Sequence, residues 1–439
     1  MKTHRLAVLV TLLLLATLAG CSHKPAAAPG TTGTAANGGS AGGSGASSSA
    51  GSGAAAGSSG STAANSSDAS AGNGALGDAG PSHGHADAGG NVTGNGDAGA
   101  PTTAQQATQV QGTYFPAEAP WSTDVHDTTQ YPKAADSDAI TAWMMTHAGG
   151  DGWGGASHAF QIDFSLIAVD VPTGTMKRTP QTGDPGFHAD PDCDPAAVPL
   201  PVGGAVEGNS GVASSFRSTY AGYQCSGFDA GDDCHILLVA RAEHRLYELY
   251  HATVDATGAF YAGCLALWDT SKVYDSHGRG DQCTSADAAG FPIAPLLFTA
   301  EEVKAGAIHH AIRFAIPNEM IRKKKYVPPA THGTNTTGPI SSMPYGAHLR
   351  LKTPYPGMAK LSPAAQIVAK ALQTYGMYMS DGGKIPLMGQ ADTLGTVKWS
   401  DVGLDSGSLK GIKASDFEVL AYPTPTDVTF DCKRTPITQ

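Results

Sequence analysis

Two adjacent histidines and an arginine interrupt an otherwise apolar segment, AIHHAIRFAIP, which runs from Ala307 to Pro317. Side chains alternate between the two faces of a strand, so His309 and Arg313 share a face of small residues, whereas His310 lies on an apolar face. The pattern predicts that His309 and Arg313 contact a ligand. It predicts that His310 is buried, and His310 becomes a candidate for proton transfer if a carboxylate lies beside it.

A glutamate lies within another apolar segment, LYELYHATV, residues 246–254. Glu248 shares its predicted face with Tyr250 and aliphatic neighbours, so burial would disfavour its charged form, which suits a general acid. A structural glutamate paired with an arginine would give the same pattern. Hydrolysis of a glycan needs a second carboxyl group, for which Asp287 or Asp163 are the candidates.

Basic residues and histidines favour a different chemistry, elimination from a uronic-acid polymer. His310 or His332 would supply the base, Arg313 would neutralise the substrate carboxylate, and Tyr250 would contact the substrate. His332 ends the proline-rich loop YVPPATH, and Arg350 lies in the segment GAHLRLK. These residues predict a groove for an anionic polymer, although a solvated charged surface is the other explanation.

Three aspartates alternate in the loop HADPDCD, at Asp190, Asp192 and Asp194. Hard oxygen ligands at this spacing suit Ca²⁺, but the glycine and the glutamate that complete an EF-hand loop are missing. The sequence therefore predicts either no cofactor or Ca²⁺ at these aspartates.

The elements that must position these residues are mainly strands. Three segments rich in β-branched and aromatic residues follow one another with short polar turns and predict an antiparallel meander: 235–241, 246–254 and 260–268. Further strands are predicted at 160–171, 307–316 and 346–352, and helices at 137–150, after Thr299 and from Pro363. The expected fold is mainly β, an antiparallel β-sandwich or barrel-like single domain with a few short peripheral helices.

The first residues have the features of an export signal. A charged start, an apolar stretch and the sequence LAGC predict a lipoprotein signal peptide over residues 1–20 and lipidation at Cys21. Residues 21–109 are rich in Gly, Ala and Ser and predict a disordered tether, and residues 110–439 predict a β-rich globular domain. The chain is therefore expected at the bacterial cell envelope, as an outer-membrane or cell-surface lipoprotein held by its lipid anchor.

Six cysteines follow Cys21, and an even number in an exported chain predicts three disulfides. We expect Cys225 to pair with Cys234 and Cys264 with Cys283 as local loops. Cys193 and Cys432 would then hold the C-terminus. The formal net charge of −11 argues against a nucleic-acid partner.

Three segments resemble a group of secreted bacterial proteins for which no reaction is established. The first begins with TSADAAG and continues through the IxHAxRF-type stretch, and the other two are KKKYVPPATH and PYGAHLRLK. The resemblance runs from about Pro120 to Val419. In that group a tryptophan and an arginine usually stand where this chain has Pro328 and Thr331. The resemblance implies an exported protein that acts on a polymer or resides at the surface.

Together these patterns predict a surface-tethered polysaccharide-degrading enzyme, a glycoside hydrolase or a lyase, that acts on an extracellular glycan. The alternative is a non-catalytic lipoprotein that binds a glycan or another envelope component.

Overall fold

The computed structural model describes residues 106–182, 191–208, 219–230 and 233–438. The expected signal peptide, Cys21, most of the tether and Asp190 lie outside the described residues. The described chain forms four α-helices: α1 Ser137–His147, α2 Ala300–Ala305, α3 Pro363–Thr374 and α4 Trp399–Val402. It forms sixteen strands: β1 Thr108–Gln109, β2 Ile162–Asp163, β3 Ala168–Asp170, β4 Lys177–Arg178, β5 Val198–Pro199, β6 Ile236–Ala240, β7 Arg245–Val254, β8 Phe260–Asp269, β9 Ile312–Ile316, β10 Ile321–Tyr326, β11 Met343–Tyr345, β12 His348–Leu351, β13 Met377–Gly382, β14 Leu387–Met388, β15 Phe417–Val419 and β16 Thr426–Asp427.

A five-stranded sheet contains the predicted meander. Its order is β1-β3-β6-β7-β8, and β6, β7 and β8 pair antiparallel as predicted. Both of its faces are covered: Ile236 and Leu238 belong to one apolar cluster, whereas Leu237 and Val239 belong to another. Burial on both faces explains why β6 is continuously apolar.

The six-stranded sheet has the order β15-β12-β13-β9-β14-β2 and mixes both pairing directions. β9 lies parallel to β13 and antiparallel to β14, while β3 and β6 pair parallel in the five-stranded sheet. The mainly-β prediction is confirmed, but the sheets are mixed, so an antiparallel sandwich is not confirmed. A parallel pair needs a long crossover, and the connection from β9 to β13 supplies one that contains α3.

Local sequence signals correctly indicate where α2 and α3 begin. Thr299 and Glu302 form the predicted capping box of α2: the Thr299 hydroxyl accepts from the Glu302 N–H, and the Glu302 carboxylate accepts from the Thr299 N–H. Ser362 caps α3, and Pro363 occupies its first turn. No helix in the described part of the chain is long and apolar enough to cross a membrane.

The predicted strand over 307–316 begins only at Ile312, so His309 and His310 lie before it. α2 ends at Ala305 and is capped by Gly306, whose φ of 96° is left-handed, and residues 307–311 connect this end to β9. The predicted strand over 160–171 likewise divides into β2 and β3, which belong to different sheets.

The structure contains three disulfides in the described chain. Cys225 pairs with Cys234 as predicted, but Cys193 pairs with Cys264 and Cys283 with Cys432, so the predicted Cys264–Cys283 and Cys193–Cys432 bonds were wrong. The Asp194 N–H donates to the Leu265 carbonyl, which brings Cys193 to Cys264. The Lys433 N–H donates to the Asp281 carbonyl, which brings Cys432 to Cys283. Contacts between distant segments thus decide the pairing.

Candidate active site

Six ionisable side chains from both large sheets and their loops interact with one another, and we call them the ion cluster: Asp163, Glu207, His235, Asp287, Arg313 and Asp381. Asp163, Arg313 and Asp381 lie on β2, β9 and β13 of the six-stranded sheet. His235 immediately precedes β6 of the five-stranded sheet. Four carboxyl groups therefore share two basic groups in a largely buried site.

Arg313 bridges two of the carboxyl groups. Its Nη2 donates to Asp287 Oδ1 and lies 3.4 Å from Asp381 Oδ2. Arg313 and Asp287 are 2% and 1% exposed, and Asp287 Oδ2 has no hydrogen-bond partner among the described residues. Burial raises the pKa of Asp287, and burial together with the charge of Asp287 raises the pKa of Asp381 to about 7. Asp381 therefore takes up a proton near neutral pH.

Glu207 and His235 form the second ion pair of the cluster. The His235 Nδ1 lies 2.6 Å from Glu207 Oε2, and its Nε2 donates to the Ala286 carbonyl at 3.0 Å. Burial alone would lower the pKa of His235, but the charge and hydrogen bond of Glu207 outweigh burial and raise it to about 9. Burial would likewise raise the pKa of Glu207, yet His235 holds it below its ordinary value. The pair is thus an imidazolium and a carboxylate at neutral pH.

Asp163 and Tyr250 border this pair. Asp163 Oδ1 accepts from the Ser165 N–H, and the Ser165 hydroxyl donates to Glu207. Burial raises the pKa of Asp163, and the nearby charge of Glu207 adds to the shift. The Tyr250 ring packs edge-on against the His235 ring, with centroids 5.5 Å apart. Asp163 and Tyr250 were candidates from the sequence. They lie beside Glu207 and His235, which were not.

Glu248 lies beside the ion cluster, but its carboxylate has local partners. Its Oε1 accepts from the N–H groups of Ile293 and Ala294 at 2.7 and 2.8 Å, and its Oε2 accepts from the Trp268 indole at 3.0 Å. Glu248 is fully buried, and burial raises its pKa to about 7, with a further contribution from the charge of Asp287. In this position the glutamate anchors the turn at Ala294.

Three basic side chains bind the loop TSADAAG, each at one of three consecutive loop residues, 286–288. His235 donates to the Ala286 carbonyl, Arg313 to the Asp287 side chain, and His332 Nδ1 to the Ala288 carbonyl at 2.9 Å. Burial lowers the pKa of His332 to about 4, so its ring is neutral. Three predicted residues, Asp287, Arg313 and His332, are thus brought together at this loop.

Gly290 at the end of the same loop has a φ of 82°, and a Cβ there would lie 2.3 Å from the Thr331 hydroxyl oxygen. Thr331 itself donates to the Cys283 carbonyl. The loop therefore requires glycine at this position, because a side chain would be strained and would displace Thr331.

The other predicted ligand contacts lie outside the ion cluster. His309 is exposed, and His310 Nδ1 donates to the Ala311 carbonyl while its Nε2 lies 3.3 Å from Glu302 Oε1. Arg350 is buried and donates through Nε and Nη2 to Glu418 at 2.9 and 2.6 Å.

Asp194, one of the predicted calcium ligands, binds two residues of the C-terminal segment, Arg434 and Ile437. Asp194 accepts from Arg279 at 2.5 Å and from Arg434 at 2.6 Å, and from the N–H groups of Leu267 and Ile437. Calcium binding stays a prediction, and the ion would have to displace these donors.

Among the described residues, one group of potential ligands lies within 4.8 Å: Asp192, Cys283 and Cys432. Cys283 and Cys432 form a disulfide, so only the Asp192 carboxylate is left as a ligand.

Sequence reasoning missed Glu207, His235 and Asp381. His235 and Asp381 lie at the ends of apolar strands, in CHILLVA and YMSDGG, where a polar residue next to a buried strand is a weak signal. Glu207 lies in a glycine-rich loop and has no such signal.

Comparison with known proteins gives no match to a family model, to a curated protein or to a solved structure. The resemblance to secreted bacterial proteins stays a prediction, and the ion cluster is the basis for inferring a function.

Proposed function

We propose that this protein is a surface-tethered glycoside hydrolase that degrades an extracellular polysaccharide, with Asp381 as the general acid and Glu207 as the ionised carboxylate. One observation carries the proposal: Glu207 lies 2.6 Å from the ring of His235, whereas Asp381 lies beside the buried Asp287 and 3.4 Å from Arg313. Burial would raise both pKa values, but His235 lowers the pKa of Glu207, whereas the charge of Asp287 adds to the upward shift of Asp381. Glycosidases need this combination, one protonated and one ionised carboxyl group.

Exposure supports the same assignment within the ion cluster. The side chains of Glu207 and Asp381 are 23% and 11% exposed, whereas those of Asp287, Arg313 and His235 are at most 7% exposed. A substrate would reach the first two more readily than the others. Arg313 and His235 would then act as positioning residues that set the charge state of the two carboxyl groups.

This assignment replaces the pair chosen from the sequence. Glu248 is 0% exposed, and the Trp268 indole and two backbone N–H groups enclose its carboxylate, so a substrate cannot reach it. Asp163 remains a neighbour of Glu207 that would orient water or substrate.

The test is incubation with a panel of neutral and uronic-acid polysaccharides. New reducing ends without absorbance of unsaturated sugars would support hydrolysis. Asp381→Asn and Glu207→Gln should each lower kcat by about 100-fold or more, the usual contribution of such groups. The matched control is Asp138→Asn, which removes a carboxylate that is 74% exposed and should leave kcat unchanged.

Unsaturated products would instead establish a lyase, and binding without any product would establish the non-catalytic lipoprotein. The pH dependence gives a second readout. Because Asp381 must be protonated to act as an acid, kcat/KM should fall as the pH rises through about 7.

The envelope location belongs to the same proposal. Lipidation at Cys21 would hold the catalytic domain at the cell surface through the tether, and Cys21→Ala should release the enzyme into the soluble fraction. Retention of that variant in the membrane fraction would contradict the proposed anchor.

A further inference from the structure

A pocket of about 490 Å³ lies beside α2, at the two histidines that precede β9. Its wall includes Tyr114, Phe115 and Trp121, and the Phe115 ring packs edge-on against Trp121 with centroids 5.1 Å apart. Its size falls within the range of small-molecule sites, about 300 to 1,000 Å³. Trp121 is 5% exposed, so the half-buried Tyr114 and Phe115 supply most of the aromatic surface open to a ligand.

The polar side of the pocket includes the Glu302–His310 pair, along with His309 and Gln390. His310 donates through Nδ1 to the Ala311 carbonyl, and its Nε2 faces Glu302 Oε1 at 3.3 Å. Both ring nitrogens thus face acceptors, which favours the imidazolium form. The side chains of Glu302 and His310 are 26% and 13% exposed, so a ligand can reach them.

The hydrogen bonds of Glu302 leave room for a ligand. Its Oε2 accepts the N–H and the hydroxyl of Thr299, both at 2.9 Å, whereas its Oε1 faces only His310 among the described residues. A carboxylate oxygen accepts two hydrogen bonds, so Oε1 retains one free acceptor position. A ligand hydroxyl satisfies this position.

The charges of the lining define the ligand further. Glu302 and His310 neutralise each other, and neither lysine nor arginine is found among the described residues that line the pocket. A uronic acid would find neither lysine nor arginine among these described lining residues and, besides His310, only the exposed His309 as a titratable base, and an amine would meet the imidazolium of His310. The pocket therefore favours an uncharged ligand with apolar ring faces and hydroxyl groups.

We propose that this pocket is a binding site for neutral sugar units, separate from the ion cluster. The choice of a carbohydrate rests on the proposed function, whereas the neutrality of the ligand follows from the pocket itself. The C–H faces of a sugar ring would pack on the aromatic wall, and a hydroxyl group would donate to Glu302.

The test is isothermal titration calorimetry with the full chain carrying Asp381→Asn, so that the oligosaccharide is not consumed. The probes are cellotetraose, maltotetraose, xylotetraose and mannotetraose, with tetragalacturonate as the charged counterpart. At least one neutral tetrasaccharide should bind, and it should bind at least tenfold more tightly than tetragalacturonate.

Two further variants in the same background locate the site. Ala305 lines the pocket and is exposed at the end of α2, so Ala305→Trp should block the pocket and weaken binding at least tenfold. Lys304→Trp is the matched control, because Lys304 is exposed on the same helix and does not line the pocket. The affinity of this variant for the tetrasaccharide should stay within twofold of the Asp381→Asn background. Thermal unfolding monitors the fold of both variants.

Absence of binding by every neutral probe, tighter binding of tetragalacturonate, or equal effects of the two tryptophan variants would overturn the inference. Hydrolysis by the unaltered chain is measured separately. Hydrolysis without pocket binding would therefore remove this site and keep the proposed function. Pocket binding without hydrolysis would keep this site and remove the proposed function.

Discussion

The Glu207–His235 pair should make the native state lose stability as the pH rises from neutral to alkaline. Glu207 raises the pKa of His235 to about 9 in the native state, above the ordinary value of 6.5. Because the native pKa is the higher one, the stabilisation is fully present below pH 6.5 and is lost as the pH rises through 9. At about 1.4 kcal/mol for each pKa unit, the difference corresponds to roughly 3 kcal/mol of unfolding free energy.

The perturbation is Glu207→Gln, which removes the charge and preserves the size of the side chain. Without Glu207, burial lowers the pKa of His235 and, among the described residues, only the charge of Asp233 opposes it, so the pKa of His235 should fall well below 9 in the variant. The variant should be less stable than the unaltered protein by roughly 3 kcal/mol at pH 6.5, and this difference should nearly vanish at pH 10. Urea denaturation at several pH values gives the free energies, and NMR titration gives the pKa of His235 directly.

The matched control is Asp124→Asn. Asp124 and His126 are also 2.6 Å apart, but their side chains are 48% and 69% exposed. Solvent screens such a pair, so its loss should cost less than about 1 kcal/mol. The reasoning is refuted if His235 titrates below 6.5 in the unaltered protein, or if Glu207→Gln has no larger effect than the control.

Three further substitutions probe the framework, each measured by urea denaturation. Serine at both Cys283 and Cys432 should cost about 2 to 5 kcal/mol, because their bond spans 149 residues of sequence; an unchanged midpoint would contradict this. Arg434→Leu should cost about 3 kcal/mol, since it leaves the buried Asp194 with one arginine partner in place of two; a more stable variant would show that the pair is dispensable. Thr299→Val should cost about 1 kcal/mol through loss of the α2 cap, and a neutral result would show that the cap is not limiting.

Local patterns predicted the elements that depend on near neighbours. The β-branched and aromatic residues of β6, β7 and β8, and the capping signals of α2 and α3, involve side chains only a few positions apart. The same reasoning failed at His309 and His310, where an alternating pattern continues through a connection that is not a strand. Alternation shows where a strand fits, but pairing with another strand decides where it begins.

The candidate site was predicted only in part, because it too depends on contacts between distant segments. Asp287 and Arg313 were recognised as residues able to do chemistry, but their ion pair and its neighbour Asp381 come from segments far apart in the chain. His310 does have the carboxylate that would make it a candidate, and this carboxylate comes from the capping box of α2, a role that gave no indication of the contact.

The sequence alone determined the mainly-β character, the meander, the helix caps and the use of cysteines in disulfides, because each follows from residue types at short spacing. Tertiary structure alone decided how the four disulfide cysteines other than Cys225 and Cys234 pair, which strands run parallel and which buried carboxyl groups share Arg313 and His235. Those outcomes depend on the register between distant strands, and at a buried site a change of partner reverses the direction of a pKa shift. This is why Glu207 is held ionised while Asp381 takes up a proton near neutral pH.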